Sequence, residues 1–399
     1  MFSKMFRRKK TKTDRSVSKI LITEKKSTDL CFPQDTCGLN VFLKDQTDLA
    51  DFSSLGDKNQ DIDPHHFTSD QSKVQSDEVE GPLIGDHETQ ESEGGEADLH
   101  KYLVGCKKNP GHRQFIPVDT FTLKHLPKGY QDNDLYEYIK AIADLTVRVS
   151  VEMSSPDRPK FYPKTTQPYP FYNMGERRNL RTGSGRVWNV NKLQDGIWQD
   201  GGYEDIAYTK CWCRKCEGSN SPSNLWWEFN VYTATHVVFD AIEANHTTLR
   251  LFYDTNDSQV DIVDKVSVVD VNIEYDRCRL KCVTCDKNVG IKLMGMWEHL
   301  KNVRWKVWNK YRASRSKHKL TFIVSHPHGC SKQVSVGQWK DRLEVGELRS
   351  KLTYTTCTCP GSSGAHVQCL GYNDHWSWFD LVHSGSLKSG LNYSAVGPA

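Results

Sequence analysis

Three short stretches of this sequence hold the residue types of acyl transfer. Thr233-Ala234-Thr235-His236 closes an alternating, strand-like run, so a histidine stands at a strand end with small neighbours. Asp286, in Cys-Val-Thr-Cys-Asp-Lys-Asn, ends a second alternating run. Pro360 to Val367 (Pro-Gly-Ser-Ser-Gly-Ala-His-Val) places a serine in a glycine-rich turn between strands. A serine hydroxyl is a weak nucleophile until a nearby base takes its proton. A histidine does this when a carboxylate holds its tautomer and stabilises its cation. Gly361 and Gly364 allow the turn to aim successive N–H groups at one point, as a developing oxyanion requires. Alone, each stretch has an ordinary reading as a structural histidine, a turn-capping aspartate or a hairpin turn. Together, in the order His, Asp, Ser, they define a candidate triad of His236, Asp286 and Ser363.

The elements that must position these residues read as β-structure. From Gly183 onward, short alternating runs recur between Gly, Asn, Asp and Ser clusters, which predicts an antiparallel barrel or sandwich. One helical piece, from about Met296 to Tyr311, interrupts them. Upstream, Leu135, Tyr138, Ile139, Ile142 and Leu145 follow helical spacing, with Asp132 or Asn133 as N-cap, and the run ends in the strand-like Thr-Val-Arg-Val-Ser-Val. A stretch with five prolines follows and reads as an extended linker. Every tryptophan lies at or after Trp188, which assigns the packed core to the C-terminal half.

Composition bounds the rest. The chain has 399 residues, a net charge of +3 and 37% apolar residues. The apolar deficit is local. Residues 1–26 carry ten Lys or Arg against Asp14 and Glu24, and residues 45–98 carry sixteen Asp or Glu against Lys58 and Lys73. Such segments repel themselves and bury little, so residues 1–100 read as a disordered, basic then acidic tail. The basic head reads as a solubilising arm, with docking on acidic surfaces or a nuclear signal as alternatives. No apolar run is long enough for a transmembrane helix, and the first residues lack a secretory signal. Thirteen cysteines without an export signal are expected to be reduced, in cytoplasm or nucleus. The near-neutral total argues against a nucleic-acid partner.

The triad motifs resemble the trypsin-like serine peptidases, nearest their high-temperature-requirement and glutamyl endopeptidase branches. Thr-Ala-Thr-His236 is similar to that family's T-A-x-H, and the Ser363 turn to G-D-S-G-G-P. Gly-Ser-Gly-Arg-Val from Gly183 resembles the opening strand. Ser325 to Gly329 and the following Val-Ser-Val-Gly-Gln-Trp resemble G-x-P-x-G and its strand. Val382 to Ser386 falls where the family lines its specificity pocket. The resemblance spans roughly residues 180–396. It implies a chymotrypsin-like double β-barrel with an oxyanion hole from the N–H groups of Gly361 and Ser363. It also implies a substrate pocket at His383, Ser384 and Gly385, with His383 as a candidate binder of acidic side chains. His326 and His328 read as turn residues. The family's D-[IL]-A-[LV] is replaced at Asp286 by Asp-Lys-Asn-Val, which leaves Asp270 and Asp276 as alternative acids. No activation site is evident, so the resemblance implies an enzyme needing no zymogen cleavage.

Cys211, Cys213 and Cys216 lie in a long connection, and Cys213-x-x-Cys216 has the spacing of two thiolates on one tetrahedral zinc. Cys282 and Cys285 form a second such pair, but on a strand positions three apart face opposite ways. Cys211 or Cys278 is then a candidate to complete a site, and ordinary thiols are the alternative. Catalysis is expected to need no cofactor.

The plan is therefore all-β. Residues 1–100 form a tail, 101–180 a helix plus Pro-rich linker, and 181–399 a protease domain with barrels at about 181–295 and 318–396. The expected partner is a protein or peptide substrate, with no membrane. The rival reading is an inactive protease fold that binds partners, with or without a stabilising zinc. Oligomeric state is not legible.

Overall fold

The alternation that starts near Gly183 becomes antiparallel sheet, and so does more of the chain before it. The computed structural model describes residues 83–199, 208–345, 349–372 and 381–398. In chain order the strands are β1 (Asp86–His87), β2 (Gln90–Ser92), β3 (Phe115–Pro117), β4 (Thr146–Val151), β5 (Leu180–Gln194), β6 (Ile197–Trp198), β7 (Leu225–Thr233), β8 (Thr247–Leu251) and β9 (Asp261–Val263). They continue as β10 (Val266–Asn272), β11 (Arg277–Thr284), β12 (Leu320–Ser325), β13 (Gln333–Glu344), β14 (Arg349–Tyr354), β15 (Val367–Cys369), β16 (His383–Ser386), β17 (Asn392–Ser394) and β18 (Gly397–Pro398). The helices are α1 (Glu96–Val104), α2 (Asn133–Leu145), α3 (Ala241–Asn245) and α4 (Lys287–Tyr311).

The first sheet runs β10-β11-β7-β5-β4-β8-β9, with β2 and β6 also on β5. The second runs β1-β16-β17-β14-β13-β12-β15, with β3 on β13 and β18 on β14. A bridge between His366 and Val382, with Val367 N donating to Leu381 O at 2.7 Å, ties β15 back to the start of β16 and closes this sheet on itself. The architecture is all-β, as expected: two antiparallel sheets, the second of them closed into a barrel. Among the described residues, no helix is long and apolar enough to cross a membrane.

The boundaries differ from expectation. The first sheet takes in Thr146–Val151, well before the expected 181, because β4 is a fully buried strand between β5 and β8. Asp132 caps α2, accepting from Asp134 N at 3.0 Å, and the apolar face of α2 is buried against α4 and the sheets. The core therefore starts well before Trp188. Each fully buried aliphatic side chain in it contributes about 1.5–3 kcal/mol. The five-proline stretch packs rather than links: Arg158, Tyr169 and Phe171 are buried, and the Arg158 guanidinium ion-pairs with buried Glu243 at 2.7 Å. Helix α4 begins at Lys287, nine residues before the expected Met296. Residues 83–100, expected to belong to the disordered tail, form β1, β2 and the start of α1. They are ordered because they pair with both sheets. The rest of the expected tail, up to residue 82, lies outside the described residues.

Candidate active site

His236 follows β7, Asp276 sits in the turn between β10 and β11, and Ser363 lies between β14 and β15. The ring of His236 bridges the other two. Nδ1 lies 2.9 and 2.8 Å from the Asp276 carboxylate oxygens, and Nε2 lies 2.7 Å from Ser363 Oγ. Asp276 also accepts from the His236 backbone N–H at 3.1 Å and from Ser384 Oγ at 2.5 Å. Burial pushes the Asp276 carboxyl up, but the His236 charge and these hydrogen bonds outweigh it, so the group is held below its ordinary value. Arg158 donates to His236 O at 3.1 Å and so braces the histidine turn from the Pro-rich stretch.

Asp286 does not join this group. It is the N-cap of α4, and its Oδ1 accepts from Asn288 N at 2.9 Å and Val289 N at 3.2 Å. An aspartate just before a long helix satisfies its free N–H groups. Asp276, one of the two alternatives, takes the position. Its signal was faint. Asp276 immediately precedes β11. Of the D-[IL]-A-[LV] pattern only the small position is kept, at buried Cys278, while Arg277 and Arg279 stand at the two apolar ones. The other alternative, Asp270, pairs with Arg277 at 3.1 Å on the strand before.

The Gly-Ser-Ser-Gly turn is held in shape from behind. Ser184 N donates to Ser363 O at 2.8 Å, and Ser184 Oγ donates to Gly361 O at 2.8 Å. Gly361 and Gly364 have φ of 98° and 84°. A Cβ at Gly361 would stand 2.4 Å from His326 O, and one at Gly364 2.1 Å from Thr233 Oγ1, so neither position admits another residue without rebuilding the turn. As a result the N–H groups of Gly361 and Ser363 converge on one oxygen, the backbone carbonyl of Glu88, at 2.6 and 3.2 Å.

Nothing along the chain singles out Glu88. Its carboxylate lies in a buried pocket, where His383 Nε2 stands 2.7 Å from Oε2 and Lys108 Nζ donates to Oε1. Tyr354 OH is 2.6 Å from His383 Nδ1, and Lys108 also donates to Asn392 Oδ1 at 2.8 Å and Thr358 Oγ1 at 3.1 Å. Burial pushes the Glu88 carboxyl up, but the hydrogen bond and charge of His383 and the Lys108 ammonium overcome this and hold it at about 2. Burial lowers His383 itself, against the pull of Glu88. Of the expected pocket residues, His383 faces the carboxylate and Ser384 binds Asp276 instead. Gly385 pairs with His87, and a Cβ there would meet Asp86 O at 2.0 Å. Beyond the pocket, a cavity of ≈ 620 Å³ opens among Leu83, Ile84, Tyr162, Tyr275, Lys351 and Tyr393.

Two sulfur-containing clusters could hold a metal ion. In one, the sulfurs of Cys211, Cys213, Cys216 and Cys285 lie within 4.8 Å of one another. Cys285 reaches it because it stands just past the end of β11, whereas Cys278 and Cys282 stay buried within that strand. The other joins Cys106, His112, His328 and Cys359. His326 and His328 are both turn residues, as expected: His326 Nδ1 is 2.9 Å from Cys330 O, and His328 sits in the turn with φ of 55° while its ring also joins this second cluster.

No protein-family model matches this chain, and no curated protein does. Solved structures do. Among them are the HtrA-type protease AlgW with a decapeptide (12% identity, TM-score 0.32, 65% of this chain and 63% of that one) and the active form of the Rv3671c protease from M. tuberculosis (12%, 0.33, 66% and 82%). Deg5 is a third (10%, 0.32, 68% and 90%). This chain thus spans less than two thirds of AlgW's length. The likeness is one of fold.

Proposed function

We propose that this protein is a serine endopeptidase that cuts after glutamate. The observation that carries the reading is the His236 ring, hydrogen-bonded at one nitrogen to Asp276 and at the other to Ser363, beside two N–H groups that share one carbonyl oxygen. Ser363 Oγ attacks the carbonyl carbon of the bound peptide while His236 Nε2 takes the hydroxyl proton. The negative charge that develops on the carbonyl oxygen is met by Gly361 and Ser363 N–H. His236 then passes the proton to the leaving amine, and a water molecule attacks the acyl-enzyme by the same steps in reverse order. Asp276 keeps the Nδ1–H tautomer and stabilises the imidazolium. Lys108 and His383 select a carboxylate side chain on the residue that supplies the carbonyl.

Cys211, Cys213, Cys216 and Cys285 are proposed as a structural zinc site. Three buried thiols and one half-buried thiol this close cannot all ionise without a cation, and sulfurs about 3.8 Å apart are what a tetrahedron with bonds of about 2.3 Å provides. Cys213 and Cys285 Sγ are 3.4 Å apart. Among the described residues all cysteines are free, which suits a reducing compartment.

The test of the enzymatic reading is labelling by a fluorophosphonate probe, together with hydrolysis of a peptide panel differing at one residue. Labelling lost in both Ser363→Ala and His236→Ala, with cleavage confined to bonds after Glu, is expected. Because Glu88 occupies the N–H groups of Gly361 and Ser363, the reading is refuted when neither folded wild type nor folded Glu88→Arg labels or cuts.

A further inference from the structure

We propose that this protein hydrolyses its own Glu88–Thr89 peptide bond. The proposal rests on the peptidase reading above and names a substrate for that site. Asp86 and His87 add to β16 as an antiparallel strand, opposite Ser386 and Gly385. Gln90, Glu91 and Ser92 add to β5, opposite Thr182, Arg181 and Leu180. One anchor belongs to the second sheet and the other to the first, so the bond between them is drawn across the cleft where the two sheets meet. There the Glu88 carbonyl oxygen accepts from Gly361 and Ser363 N–H, and Glu88 N donates to Ser363 Oγ at 3.1 Å. The Glu88 side chain fills the His383 and Lys108 pocket. The His87 ring packs 5.8 Å from that of His236 and 4.8 Å from that of Phe171. Each feature that a peptidase needs from a peptide is met by this one segment.

The close fit is built into the backbone. A Cβ at Gly85 would stand 2.2 Å from Ser386 O, as one at Gly385 would clash with Asp86 O. Both sides of the contact thus carry a glycine where the strands approach. The two halves of the segment are held unequally. Downstream of the bond, β2 continues into α1, where Glu96 pairs with buried Arg148 and with Arg250 at 3.0 Å. Upstream, the described hold is two strand pairs, the Glu88 side chain and contacts of Leu83, Gly85 and His87. Ser363 Oγ forms an ester to Glu88 as the bond to Thr89 nitrogen breaks, with the proton delivered by His236. Water then releases Glu88 as a carboxylate. By the described contacts of residues 83–88 the acyl half is the less firmly held one and can leave, which opens the cleft to other substrates, while Thr89 becomes a new N-terminus. This proposal departs from the expectation of an enzyme needing no activating cut.

The experiment is intact-mass and N-terminal analysis of the purified full chain. It is run on wild type, Ser363→Ala and Glu88→Gln, alongside fluorophosphonate labelling of Glu88→Arg, whose cationic side chain cannot share the pocket with Lys108. Expected are a break between Glu88 and Thr89 in wild type, none in Ser363→Ala, slowing of about tenfold or more in Glu88→Gln from loss of a charge-assisted contact, and labelling of Glu88→Arg. An uncut wild type beside a labelled Glu88→Arg overturns self-cleavage alone and makes the segment a tethered inhibitor. Cutting that persists in Ser363→Ala overturns it too, since another protease is then responsible. An uncut wild type and a folded but unlabelled Glu88→Arg overturn both this proposal and the peptidase reading.

A different observation supports a second inference. We infer that Cys106, His112, His328 and Cys359 bind a zinc ion. Cys106 and Cys359 Sγ are 3.6 Å apart, and Cys359 Sγ is 3.5 Å from His112 Nε2. His328 Nδ1 is 2.8 Å from Gln90 Oε1, which fixes the tautomer, and leaves the buried Nε2 without a hydrogen-bond partner and free to ligate. Asn109 N and Nδ2 donate to Cys106 and Cys359 Sγ at 3.4 and 3.0 Å, as groups around a zinc thiolate do. Cys359 directly precedes the oxyanion turn, and Cys106 lies two residues from Lys108, so one ion would tie the pocket cation to the catalytic loop. Elemental analysis of the full chain is expected to find two zinc ions. Cys106→Ser or His112→Ala should lose one, and Cys213→Ser the other. Cobalt substitution then separates a two-sulfur, two-nitrogen spectrum from a four-sulfur one, even where a variant folds poorly. One ion with only a four-sulfur spectrum overturns the inference.

Discussion

Ser384 Oγ donates to Asp276 Oδ2 at 2.5 Å, so the strand that lines the glutamate pocket also fixes the carboxylate behind His236. Pocket and triad are thereby one rigid unit. Ser384→Ala removes a hydrogen bond to an ion, a loss of about 1.5–3 kcal/mol. It should lower kcat roughly tenfold or more on a glutamyl peptide. Steady-state kinetics, with KM little changed, is the check.

Asp276 and Asp286 have different roles, and one substitution at each should separate them. Asp276→Asn leaves a neutral partner that no longer enforces the tautomer, and should reduce kcat by about 10⁴-fold. Asp286→Ala removes a helix cap, with a cost of about 1 kcal/mol read as a lower denaturant midpoint, and kcat should stay near wild type. Equal kinetic losses in both would contradict the geometry.

Lys108 is separated from the triad by the Glu88 side chain. Lys108→Met should reduce kcat/KM for glutamyl peptides by about 10–100-fold, the worth of a charged hydrogen bond. It should leave fluorophosphonate labelling of a Glu88→Arg background in place. Loss of labelling as well would mean that Lys108 acts through the fold.

The Glu88 carboxyl is held at about 2, below the 4.5 of an unperturbed glutamate. A group lowered on docking contributes its full stabilisation above the higher value and loses it as pH falls toward the lower. In uncut Ser363→Ala protein, docking of residues 85–92 should therefore weaken between pH 4.5 and 2. Hydrogen exchange across that range measures it, and Glu88→Gln should remove this part of the pH dependence. A protection profile identical in the two chains would exclude Glu88 as the titrating group.

Much of this protein is legible along the chain because its signals are local. Alternation marks the strands, helical spacing and Asp132 mark α2, and a glycine-flanked serine and a strand-end histidine mark two of the triad residues. Gly361 and Gly364 are visible because a backbone with positive φ has few residue choices. What the tertiary structure decided depends on pairs far apart in sequence. Asp276 rather than Asp286 faces His236, because helix α4 claims the later aspartate as its cap. The acidic stretch around Glu88 reads as tail from composition alone, since its order comes from pairing with β16 and β5. Lys108 acquires meaning from a carboxylate and an imidazole on other elements. Cys106, His112, His328 and Cys359 gather from three separate segments, and no spacing rule joins them. Local chemistry follows from neighbours in the chain, whereas a site assembled across two sheets exists only once the chain has closed on itself.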